Sequence, residues 1–105
     1  MKTFNEFLAK LDKLNFVQQS ASDKSITSEE GFEISYRTDL HNEGFQIIIR
    51  VTYNNVHVKT WGCENAQQQN DFGKWFLEKK HIVIENEYNK MEKTKAIGKS
   101  ILENL

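Results

Sequence analysis

Hydrophobic and polar positions follow three different rhythms along this chain. Phe4, Phe7, Leu8, Leu11 and Leu14 recur as one face of a 3.6-residue helix, which predicts a helix over residues 3–15. Thr3 followed by Glu6 fits a capping box at its start. The stretch QQSASDKSITSEE, Gln18 to Glu30, is small and polar and reads as an exposed loop. From Gly31 the period becomes two. Phe32, Ile34 and Tyr36 alternate with polar residues, and the alternation resumes as Phe45, Ile47, Ile49, Val51 and Tyr53 after a turn signal at Asp39 to Gly44. Asn54-Asn55 fits a two-residue hairpin turn, because asparagine tolerates positive φ. A regular ladder through that turn pairs Tyr53 with Val56, Val51 with Val58 and Ile49 with Thr60 on one face. It pairs Thr52 with His57, Arg50 with Lys59 and Ile48 with Trp61 on the other.

Beyond Cys63 the rhythm turns helical again, with Glu64 or Asn65 near the cap and Phe72, Trp75 and Phe76 on an apolar face. The β-branched run His81-Ile82-Val83-Ile84 is consistent with a short strand at 81–85. No turn residue precedes it, however, and Ile84, Tyr88, Met91, Gly98, Leu102 and Leu105 continue a helical stripe. One long or kinked helix, or two in succession, is the favoured assignment. The expected fold is therefore α+β: an N-terminal helix, a three-stranded antiparallel meander and a helical C-terminus (αβββα, with a further helix if the last run breaks). It forms one compact domain over residues 1–105, with the helices on the Phe32/Ile49/Val58 face.

Composition narrows the function classes. The 105 residues are 38% hydrophobic and 28% charged, enough for a folded core. A net charge of −1 excludes a bulk polyelectrolyte grip on nucleic acid or membranes. Cys63 is the only cysteine and no Asn-x-Ser/Thr acceptor occurs, so no oxidising compartment is implied. Charges interrupt the apolar residues of the N-terminus, which does not read as a signal peptide or a membrane span, and a cytoplasmic protein is expected. Proline is absent, and arginine occurs only as Arg37 and Arg50 against 12 lysines, the bias of an AT-rich genome.

No catalytic or cofactor signature assembles. His41, His57, His81 and Cys63 lack metal-ligand spacing, so neither a metal nor a cofactor is expected. In a regular strand His57 and Cys63 share a face but lie about 20 Å apart, too far for a thiolate pair. Asp71-Phe72-Gly73 has none of the companion motifs of a kinase, and the five glycines are isolated. The protein is expected not to be an enzyme.

Two surfaces remain. Arg37, Ile48, Arg50, His57, Lys59 and Trp61 would share the second face of the sheet, where cations around a Trp and an Ile could anchor a protein or stack bases and hold phosphates. The last helix, with Gly98 in its apolar stripe, could form a homodimer or partner seam.

In element order, residues 3 to 80 are similar in layout to double-stranded-RNA-binding domains. Where those domains place a lysine cluster, at the start of the second helix, this chain reads Glu64-Asn65-Ala66-Gln67-Gln68-Gln69. The layout also looks like that of small inhibitors made by phages against host nucleases such as CRISPR effectors. Many of those are strongly acidic nucleic-acid mimics, and this chain is not. Neither layout carries a residue motif, so no site residue is transferred. The expectation is a small non-catalytic binding protein with a protein partner, for instance a phage-type modulator or inhibitor of a host factor. The alternative is an RNA- or single-stranded-DNA-binding domain.

Overall fold

The computed structural model describes residues 3–41 and 44–105. In chain order they form helix α1 (Phe4–Asp12), strands β1 (Phe16–Gln19), β2 (Ser25–Ser28), β3 (Phe32–His41), β4 (Gly44–Tyr53) and β5 (Val56–Gly62), and helix α2 (Ala66–Glu103). The strands make one antiparallel sheet in sequence order, so the protein is α+β with two more strands than the alternation predicted. Tyr36, Ile49 and Trp61 are cross-strand partners on one face. Phe4 and Phe7 of α1 pack on Trp61, while Phe72 and Phe76 of α2 pack edge-on against Tyr36. Both helices therefore cover the same face, and among the described residues the other face carries none.

The polar stretch read as a loop is instead most of the β1–β2 hairpin. Only Ile26 supplies a strong apolar anchor there, and it is fully buried opposite Ile34. Ser25 and Ser28 are buried beside it, and the Ser28 hydroxyl accepts the Phe32 N–H at 3.1 Å. Backbone pairing to β3 holds this strand, and pairing of that kind leaves no period-two signature when the side chains are serine and threonine. The expected turn at Asp39 to Gly44 is also shorter. Both strands run on until His41 faces Gly44, with positions 42 and 43 outside the described residues.

Other local signals hold. The Thr3 hydroxyl accepts the Glu6 N–H at 3.1 Å and caps α1, and Asn65 does the same for α2 by accepting the Gln68 N–H at 2.9 Å. Asn54 and Asn55 take φ of 48° and 70°, as a tight two-residue hairpin requires. The run at 81–84 is neither strand nor break. It lies within α2, where β-branching costs about 0.5 kcal/mol per residue, while full burial of Val83 stabilises the helix by roughly 1.5 kcal/mol. With no proline in the chain, no backbone N–H is missing from the ladder.

Helix α2 is 38 residues long and gives the molecule extents of 65 × 25 × 21 Å. Its first half crosses the sheet toward β1, where Trp75 meets Phe16 edge-on at 5.5 Å, and just past the midpoint the Asn86 amide donates to the Phe16 carbonyl at 3.3 Å. Asp12, at the end of α1, accepts from Trp75 Nε1 at 3.1 Å and from Lys79 Nζ at 2.7 Å, tying the two helices together. Hydrogen bonds from Lys79 and then Trp75 hold the Asp12 carboxyl below its ordinary value of 3.8. Among the described residues, no helix is long and apolar enough to cross a membrane.

Candidate functional site

A β-bulge in β5 rearranges the sheet face that the sequence put forward. Tyr53 faces Val56 and Thr52 faces His57 as expected, but Val51 then faces Lys59, Arg50 faces Thr60, Ile49 faces Trp61 and Ile48 faces Gly62. Val58 is the extra residue. As an edge strand, β5 is laddered on one side only, which is where an inserted residue disrupts least. Past the bulge every side chain changes face. The imidazole Nε2 of His57 lies 2.6 Å from the Thr60 hydroxyl, a contact that requires both on one face although they are three residues apart.

Of the six candidates, Arg37, Ile48, Arg50 and His57 therefore stay on the open face, and Lys59 and Trp61 move to the helix-covered one. Trp61 stacks on Phe7, with centroids 5.3 Å apart and planes at 12°, and Lys59 Nζ sits 5.7 Å from its ring centroid. Arg50, expected to face Lys59, instead lies between Ser35 and Thr60. Arg37 pairs with Asp39 at 3.1 Å, so part of the face's positive charge is already engaged. The open face that remains carries Arg37, Arg50 and His57 among other polar side chains, with Ile48 half-buried between them.

The bulge also separates His57 from Cys63. They share a face in a regular strand, whereas here His57 is on the open face and Cys63 points into the core, 2% exposed. Burial pushes the Cys63 thiol up to about 11, so it is protonated at neutral pH. Among the described residues, no three His, Cys, Asp or Glu side chains are close enough to hold a metal ion together. The side chain of His41 lies outside the described residues.

The helix offers a different surface. All residues from 84 to 105 are exposed, so the stripe read from the sequence is uncovered: Ile84 at 47%, Tyr88 at 62%, Met91 at 70% and Leu102 at 70%. Val83 is the last buried residue of α2. Beyond it the helix leaves the sheet at the β1 edge with its apolar side chains in solvent.

The stripe begins earlier than the sequence pattern showed. Leu77 lies two turns before Ile84 on the same side of α2 and lines a groove of about 240 Å³ with Tyr36, Ile47, Phe72 and Phe76. Leu40 and Phe45, paired across the β3–β4 hairpin, add exposed apolar surface on the same face of the sheet. Leu40 stood within a segment read as a turn, and Leu77 stood among core-facing aromatics. Their exposure follows from where α2 crosses the sheet. No family model, curated protein or solved structure matches the chain.

Proposed function

We propose that this chain is a non-catalytic binding domain acting through protein–protein interaction, and that the distal half of α2 is the surface it binds with. The observation that carries this reading is the uncovered stripe of Ile84, Tyr88, Met91 and Leu102 on a helix in which every residue from 84 onward is exposed. Most helical stability in proteins comes from packing an apolar face rather than from propensity. A helical partner laid along the stripe would supply that packing, in the manner of apolar anchors spaced three and four residues apart. Any modulation of another factor would then follow from occupancy rather than chemistry.

The rival occupant is RNA or single-stranded DNA on the open sheet face. It has lost its stacking residue to Phe7 and part of its charge to Asp39. The deciding experiment compares the wild-type chain with a Tyr88→Glu/Leu102→Glu variant in affinity capture, with tryptophan fluorescence confirming that both are folded. Loss of bound proteins in the variant is expected, and an identical set from both would overturn the helix as the binding surface. Tight RNA binding at low salt, abolished in Arg50→Glu, would make nucleic acid the partner instead.

A further inference from the structure

We propose that the occupant of the distal α2 stripe is the same helix of a second copy, paired antiparallel about a dyad near Lys93. This rests on the reading of that stripe as a protein-binding surface and specifies its partner. From Leu77 to Leu105, with His81 and Lys95 as its polar positions, the seam recurs at alternating steps of four and three residues, the heptad spacing of a coiled coil. They lie about 100° around the helix from Val83, so a second helix can approach without displacing the sheet.

Charge and size select the orientation. In a parallel pair Lys95 would face Lys95, Gly98 would face Gly98 across a void, and Glu87 would lie beside Glu92 of the other chain, so two of the contacts repel. The antiparallel register places Ile84 opposite Leu102, Tyr88 opposite Gly98 and Met91 opposite Lys95. Lys99 of each copy then comes beside Glu85 and Glu92 of the other, flanking the two Glu92 side chains near the dyad. Of the charged residues beside the exposed seam, Glu85, Glu87 and Glu92 come early and Lys99 late, so antiparallel pairing gains two Glu85–Lys99 contacts against the one Glu92–Glu92 contact at the dyad.

Gly98 supplies an independent observation. A glycine inside a helix is disfavoured, and nothing in the monomer explains it, because a Cβ built there meets no atom within 4 Å. Opposite Tyr88 of a second copy, the missing side chain is the space that the phenol ring occupies.

Sedimentation equilibrium of the full chain, with disulfide crosslinking through one introduced cysteine per variant, tests this. A dimer mass is expected. Ile84→Cys alone and Leu102→Cys alone should give no disulfide dimer, whereas an oxidised mixture of the two should give a crosslinked heterodimer. Cys63 is buried and remains silent in the wild-type control. Lys99→Glu should weaken the dimer at least tenfold. Crosslinking of each single variant with itself would mean a parallel pair and overturn the register. A monomer at every concentration would overturn self-pairing altogether. If that monomer nevertheless loses captured proteins on Tyr88→Glu/Leu102→Glu substitution, the binding surface stands and only its occupant is wrong. If capture is also unchanged, both readings fail.

Discussion

The two halves of α2 have similar helical sequences and opposite fates. From Phe72 to Val83 the helix buries Phe72, Trp75, Phe76 and Val83 against the sheet. From Ile84 onward it offers residues of comparable hydrophobicity, and none is covered. Local propensity is therefore not what separates them. The sheet is five strands wide, and α2 is longer than the sheet it crosses, so the geometry of the crossing decides which apolar residues find a partner. One half belongs to the core and the other is left for something else.

Substitutions should separate the halves most sharply where burial differs most. Phe72→Ala removes a fully buried ring that contacts Tyr36, Trp75 and Phe76. It should cost about 3–5 kcal/mol in denaturant unfolding, while Met91→Ala in the monomer should stay within about 0.5 kcal/mol. Equal losses at the two sites would mean that the distal half is part of the cooperative fold. Asn65→Ala removes the cap that starts the buried half and should cost about 1 kcal/mol by the same measurement.

Asp12 belongs to the buried half through Lys79 and Trp75, and its effect depends on pH. Its carboxyl is held below the unfolded value, so its contribution is present above about pH 3.8 and is lost as pH falls through the lower folded value. Asp12→Asn should therefore reduce stability at neutral pH and flatten the acid limb of the stability curve. A wild-type acid limb in the variant would sever the link between α1 and α2. The pair is partly exposed, so the effect is small. The smallest global effect is expected from Ala96→Pro in the monomer, where it interrupts the ladder among exposed residues only. Far-UV circular dichroism should lose helix while the denaturation midpoint moves little. A large midpoint shift would contradict the independence of the distal half.

Much of the fold was legible along the chain where a short-range pattern specifies an element. The period of Phe4 to Leu14, the alternation through Phe32 and Ile49, and the Asn54-Asn55 turn each depend on neighbours a few residues apart. The β1–β2 hairpin was not legible, because Ser25, Thr27 and Ser28 are held by backbone pairing with β3 and carry no apolar rhythm. The candidate sheet face failed at one residue. An unsignalled bulge at Val58 shifts the register, and a shift of one turns each later side chain to the opposite face. Lys59 and Trp61 thus left the group, whereas the helical stripe, needing no register between strands, kept its composition.

By itself the sequence determined the helix-forming segments, the Thr3 cap, the inward faces of the two long strands and a C-terminal region free of proline, since each depends on backbone sterics and local spacing. Only the tertiary structure decided how many strands join the sheet, which face Trp61 occupies and where along α2 burial stops at Val83. Those outcomes depend on contacts between residues distant in the chain. Pairing partners and the width of the sheet exist only once the whole chain has packed.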